Sequence, residues 1–244
     1  MPLPTIKHPV FKISVPSTGA QISYRPYTVQ EEKLLLIMKL SNDVDEIIGT
    51  IKQIINNCVF EDIDVEKFAM FDIEYLFLNI RKVSVSNIIE LNYSEEIDSK
   101  VVRVPFSVDI EQVKVKFNPE HSNTIKINED MGIKMNYPSV THMLKLEDII
   151  QKEEFNSSKI DEYIYDIFLE CVDSIYDADK VYNRSEFTKD ELNQFISSLP
   201  ADTMNHIRNF FDTLPSLEHE VIVAMPSGVN KTVVMKGLKD FFIF

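Results

Sequence analysis

Val44-Asp45-Glu46-Ile47-Ile48-Gly49-Thr50-Ile51-Lys52-Gln53-Ile54-Ile55-Asn56-Asn57-Cys58 decides the first question about this chain. Its apolar residues recur at i, i+3, i+4, i+7, i+10, i+11 and i+14, which puts all of them on one face of a helix. Asp43 just ahead, with Glu46 three residues later, is a capping box. The stripe predicts a helix with a continuous buried face, and Cys58 belongs to it as a small hydrophobe. Upstream the period is two. Val10–Val15, a turn at Pro16-Ser17-Thr18-Gly19 and then Gln21–Tyr24 predict a hairpin, with Gly19 supplying the positive φ of the turn. The change to a helical period comes at Val29, and Glu31–Leu40 is strongly apolar. Asp72–Lys82, carrying Tyr75, Leu76, Phe77, Leu78 and Ile80, is apolar nearly all round and is expected at the centre.

The middle third alternates. Val102, Val104, Phe106, Val108 and Ile110 are interleaved with Arg103, Pro105, Ser107 and Asp109. Val113, Val115 and Phe117 continue with lysines between them, and Ile125/Ile127 and Ile133/Met135/Tyr137 are shorter versions. Such runs predict an antiparallel meander with one wet face, and Pro105 on the polar register suits an edge or a bulge. Beyond it Ile160, Tyr163, Ile164, Ile167, Phe168, Cys171, Val172 and Ile175 form a second helical stripe. Thr188 with Glu191 is another capping box, and Pro200 suits the first turn of a helix bearing Met204, Ile207, Phe210, Phe211 and Leu214. Val221–Met225, a turn at Pro226-Ser227-Gly228 and Val233–Met235 predict a terminal hairpin. The fold class is therefore α+β: an N-terminal β-hairpin plus helices, a central antiparallel β-meander, and a C-terminal acidic helical lobe ending in a β-hairpin. A polar stretch at Gln151–Ser158 suggests two parts, 1-150 and 151-244. The last residues, Phe241-Phe242-Ile243-Phe244, should not stay in water, and are expected to pack on the body or on a neighbour.

Composition narrows the function. The chain has 244 residues with 25 Lys+Arg against 39 Asp+Glu, a net charge of −14, which argues against a nucleic-acid partner. Residues 151–220 alone hold 16 acids and 6 bases, the mark of a solvated face or of a surface for a basic partner. Residues 1–30 contain no acid, only Lys7, Lys12 and Arg25, so this arm could dock on an acidic neighbour or simply fray. No apolar run is long enough for a membrane span and no signal-peptide core is evident, so a soluble cytoplasmic product is expected.

A search for chemistry returns little. The five glycines are scattered singly, whereas phosphate and dinucleotide fingerprints need them clustered. Gly228-Val229-Asn230-Lys231-Thr232 lacks the second glycine and reads as a turn. His8, His121, His142, His206 and His219 stand alone, without a second His or a Cys at metal-ligand spacing. Asp177-Ala178-Asp179 opens like a calcium loop, but Val181, Tyr182 and Thr188 occupy the later positions. No catalytic residue, cofactor or metal is expected, and the chain is read as a non-enzyme.

Four stretches in a fixed order carry a resemblance. The first is Pro16-Ser-Thr-Gly19-Ala-Gln-Ile22-Ser-Tyr-Arg25-Pro26-Tyr27-Thr-Val29-Gln-Glu31-Glu32-Lys33-Leu34-Leu35-Leu36. The others are Ile54-Ile-Asn-Asn-Cys58-Val59, Phe71-Asp-Ile-Glu74-Tyr75-Leu-Phe77-Leu78 with Arg81 and Ser84-Val85, and Asp173-Ser-Ile-Tyr176-Asp177 with Phe210-Phe211 and Gly237-Leu-Lys-Asp-Phe-Phe242. In this order they resemble the baseplate hub subunits and hub assembly proteins of T4-like tailed phages, with residues 95–150 the least similar part. The resemblance implies a late viral protein, made in the host cytoplasm, that helps build the central hub of the tail baseplate by protein–protein contacts. Its partners would be other hub or tail proteins, or further copies of itself; a transient hub chaperone absent from the virion is the alternative, and a small enzyme with a dispersed site a remoter one. Members of the family often carry a Cys-x-x-Cys pair in the terminal hairpin, where this chain has Ala224-Met-Pro-Ser227-Gly228, so apolar packing should serve instead. The implied partner-binding residues are Arg25, Pro26 and Tyr27 at the hairpin-to-helix junction, with Phe241, Phe242 and Phe244 at the other end. Arg25 can grip a partner carboxylate bidentately, or be used internally on Glu31 or Glu32. Glu74 and Arg81 are expected to find partners within the fold.

Overall fold

A computed structural model describes residues 6–38, 40–41, 43–97, 100–152, 157–226 and 228–241. In chain order the elements are β1 (Phe11–Ser14), β2 (Gln21–Tyr24), α1 (Val29–Met38), α2 (Val44–Cys58), α3 (Met70–Ser84), β3 (Ile88–Ile97), β4 (Lys100–Asp109), β5 (Lys114–Lys116), β6 (Thr124–Lys126), β7 (Gly132–Met135), α4 (Val140–Lys152), α5 (Ser157–Cys171), β8 (Val172–Tyr176), β9 (Val181–Asn183), α6 (Lys189–Ser197), α7 (Thr203–Asp212), β10 (Ser216–Ala224), β11 (Asn230–Lys236) and α8 (Gly237–Phe241). Helices and antiparallel sheets are mixed along the chain, as the α+β class requires.

Two compact units share the chain: Met1–Val65, Phe71–Lys116 and Ser216–Phe244 form one, and Glu66–Met70 with Phe117–Pro215 the other. This division differs from the 1-150 and 151-244 parts expected at the polar stretch near Gln151. The terminal hairpin returns to the first unit because β10 pairs with β5, Leu217 opposite Val115. Local polarity marks a loop, whereas a strand pairing a hundred residues back leaves no local trace.

In the first unit β1 and β2 form the expected hairpin, with Ile13 opposite Ile22 and Gly19 at φ 71° in the turn. The outer edge of β2 is covered by the chain after α2: Tyr24 bridges Val59, the Phe60 N–H donates to the Ser23 carbonyl, and the Arg25 N–H donates to the Cys58 carbonyl. The stripe of α2 is buried at Ile48, Ile51, Ile54, Ile55 and Cys58, and α3 is buried at Phe71, Ile73, Leu76, Phe77, Leu78 and Ile80. Each such side chain contributes roughly 1.5–3 kcal/mol by leaving water. Asp43 caps α2 through the Asp45 and Glu46 N–H groups, while the Glu46 carboxylate takes the Ser41 hydroxyl instead of completing the box. The alternating run 102–110 forms β4, paired with β3 over ten residues so that Ile89 and Val108 face inward together. A short 3-10 turn at Ile110–Gln112 then breaks the run, and β5 joins a different sheet of order β11-β10-β5. The strands of the middle third are thus distributed over three antiparallel sheets.

Two buried carboxylates on α3 hold distant chain segments. Asp72 accepts the Ser17 N–H at 2.9 Å, fixing the β1–β2 turn. The Glu74 carboxylate lies against Gly237, which starts α8 at φ 64°, a left-handed conformation that favours glycine; a β-carbon there would meet Glu74 Oε1 at 2.8 Å.

The second unit is built on the sheet β6-β7-β8-β9. Its core joins Ile133, Met135, Ile167, Phe168, Cys171, Leu192, Ile207 and Phe210. Val172 and Ile175 were expected to prolong the stripe of α5, but the helix ends at Cys171 and both residues stand in β8, where Ile175 faces Ile133. Both are β-branched, and the partner strand β7 decides their state. Gly132 sits under the Tyr176 ring, and a β-carbon there would also meet the Ile125 carbonyl at 2.9 Å. Thr188 and Glu191 form the expected capping box of α6; α7 begins at Thr203 rather than at Pro200.

Candidate interaction site

The junction between β2 and α1 is an ionic knot. Thr28 ends the extended chain, and its hydroxyl accepts the Gln30 N–H while Glu31 reaches back to the Thr28 N–H and hydroxyl at 2.7 and 2.6 Å. Thr28-x-x-Glu31 is a capping-box signature legible in the sequence itself. Glu31 is 2% exposed, and Arg25 lies across it with Nη2 3.1 Å from Oε1. The guanidinium also donates to the carbonyls of Pro26 and Asn57, both at 2.9 Å. Burial alone would raise the Glu31 carboxyl; the hydrogen bonds from Arg25 and Thr28 outweigh it and bring the pKa down to about 2. Arg25 is therefore used internally, on the first of the two glutamates named for it.

Pro26 contributes its carbonyl to the same knot. Tyr27 is half-buried, its N–H donating to Ser84 Oγ at the end of α3. Burial and the hydrogen-bonded Glu32 carboxylate push its phenol above the ordinary range. At the other end Phe241 is fully buried, in α8, which packs on β10 and β11. Phe242 and Phe244 lie outside the described residues.

What the knot supports is an outward face. Of α1, only Glu31 and Met38 are buried. Leu36 is 57% exposed, Ile37 68%, and Leu40 just beyond the helix 86%. A ten-residue helix normally holds to its protein by an apolar stripe. This one is held at its first turn by an ion pair and a cap and packs on α2, with Met38 buried and Leu34 and Leu35 half-buried, while Val29, Leu36 and Ile37 face water.

Several of the groups singled out as chemically capable have partners within the fold. Cys58 and Cys171 are buried free thiols, and desolvation pushes them up to about 11 and about 12. Ser139, His142 and Glu170 line up, with Nδ1 3.2 Å from Ser139 Oγ and Nε2 2.6 Å from Glu170. Yet Nδ1 accepts the Ser139 N–H at 3.1 Å, while Ser139 Oγ accepts the His142 N–H at 3.4 Å. That exchange is a capping box for α4 with histidine in the glutamate's place. His121 stacks on Tyr137 and lies tilted against Phe210, hydrogen-bonded to Asn123 and Thr213, and burial lowers its pKa. In the would-be calcium loop Asp177 Oδ1 accepts the N–H groups of Asp179 and Lys180, closing a turn. Among the described residues no cluster of three His, Cys, Asp or Glu side chains is placed to hold a metal ion, and no helix is long and apolar enough to cross a membrane. Gly228, at φ 80°, turns the terminal hairpin, and Met225 is buried where the cysteine-bearing turn would sit.

The protein is thus a mixed α+β fold with a buried ion pair at the β2–α1 junction and exposed apolar residues on α1. Residues 8–243 match the model of the T4 bacteriophage base plate protein family, and the chain belongs to that family. Membership gives it a structural or assembly role in a phage baseplate, with other baseplate or tail proteins as partners. No curated protein and no solved structure matches it.

Proposed function

We propose that this chain is a subunit of the central hub of the baseplate, joined to its neighbours by apolar contact and without chemistry of its own. The observation that carries the reading is the exposed face of α1 at Leu36, Ile37 and Leu40, on a helix pinned by a buried ion pair. Arg25, Pro26 and Tyr27 enter as the residues that hold α1 in position for this contact. The ordered motifs shared with hub proteins support the hub over other baseplate positions.

Quantitative mass spectrometry of purified particles, alongside the infected-cell lysate, tests it. A small whole number of copies per particle is the expected result. Presence in the lysate with absence from particles would make the chain an assembly chaperone that leaves. The variant L36E/I37E should keep its helical content and melting temperature, because both side chains are already in water, yet fail to enter particles. Normal incorporation of that variant would overturn the role given to α1.

A further inference from the structure

We propose that the open edge of β1 is the docking site for an extended acidic segment of a neighbouring baseplate protein, added to the β1–β2 hairpin as a third strand. This rests on the contact role above and names the chemistry of one partner.

The hairpin is asymmetric. Its β2 edge is sealed by residues 58–61, whereas no strand among the described residues pairs with the other edge of β1. Which backbone groups face that edge follows from the ladder. The Val15 N–H donates to the Ala20 carbonyl, and the Ser23 carbonyl is taken by Phe60, so Lys12 opposite Ser23 is a non-hydrogen-bonded pair. Bonding alternates along an antiparallel pair, so the backbone groups of Lys12 and Ser14 point outward. An exposed row of this kind is a template for strand addition.

The edge opens on a groove of about 1060 Å³ that all four residues of β1 line, together with the end of α3 and residues 85–87. Side chains of a strand alternate between faces, so a cavity touching four successive residues of β1 reaches its edge, with Gln21 and Tyr24 of β2 lining its inner side. Phe11 and Val85 are exposed apolar groups on this groove, and Lys12 and Lys82 its cations, against one acid, Glu111. Lys12 also lies in the field of Glu61 across the hairpin. In a chain of net charge −14 the lining holds two lysines against one glutamate, and β1 itself lies within a segment of thirty residues that contains no acid. Strand geometry, two cations and two apolar walls fit a short extended segment alternating acidic and apolar residues. At about 3.4 Å per residue, β1 accommodates four to six residues of it.

The test titrates the intact protein with the capped heptapeptide Glu-Val-Glu-Val-Glu-Val-Glu and follows amide hydrogen exchange by NMR. Protection of the Lys12 and Ser14 amides by tenfold or more, saturating with peptide, is expected, while a Lys-Val counterpart protects neither. N-methylation along one edge of the peptide should abolish binding, and along the other leave it intact. Lys82→Glu should weaken binding at least tenfold without touching the ladder, and Ser14→Pro should remove it by deleting an outward N–H. If Ser14→Pro does not fold, Lys82→Glu and the methylated peptides decide alone. No protection at millimolar peptide, equal protection by the lysine peptide, or changes confined to α1 would each overturn the proposal. In particles, exclusion of L36E/I37E but normal entry of Lys82→Glu would sink the strand site and leave the contact role standing; entry of both would sink the contact role as well.

Discussion

Glu31 shows how one residue can be decisive without touching a partner. It caps α1, neutralises Arg25 and carries a pKa near 2, all inside the fold. Replacing it by Gln leaves a partly buried guanidinium without its counter-charge, and a loss of roughly 3 kcal/mol is expected in urea unfolding. Its folded pKa lies below the ordinary 4.5, so its contribution is complete above that value and disappears as pH falls towards 2. The wild type should therefore lose stability over that window by about 3 kcal/mol more than Glu31→Gln does; parallel acid titrations would refute the assignment. The pairing was partly legible, since Arg25 and Glu31 sit at either end of a short turn. The cap at Thr28 was equally readable. What was not readable was the Asn57 carbonyl that completes the knot, because α2 delivers it from 32 residues away.

Elements were legible where their pattern is local. The stripe of α2, the first hairpin and the cap of α6 all stand where spacing put them. The boundary at Cys171 shows the limit. Val172 and Ile175 continue a perfect helical stripe, yet β7 claims them as a strand. The same pairing explains Gly132, whose missing side chain makes room for the Tyr176 ring. Gly132→Ala should destabilise the second unit by about 1–3 kcal/mol, measured by thermal unfolding. Adding Tyr176→Leu should recover part of that loss, the Ile125 carbonyl still standing in the way. No recovery in the double variant would mean that backbone strain, not the ring, sets the penalty. Likewise the line-up of Ser139, His142 and Glu170 was not legible from motif spacing, because it arises from α4 and α5 meeting.

For the molecule as a whole, the terminal apolar residues belong at least in part to the body. Phe241 is fully buried, so Phe241→Ala should cost about 3–5 kcal/mol. Native-state hydrogen exchange should register that loss in α2 and α3, with the amides of α5 and β7 unaffected. A loss spread evenly over both units would show that they unfold as one. The division itself was illegible because the sequence displays polarity near Gln151, whereas the units are set by β10 crossing back to β5.

That return has a consequence for synthesis. The second unit is nearly continuous in the chain, so a ribosome delivers its sheet and helices in one run. The first unit waits: β10, β11 and α8 leave the tunnel after everything they must join, and α3 stands with Glu74 ready for a segment still being translated. A nascent or prematurely stopped polypeptide therefore presents a finished second unit beside an unclosed first one.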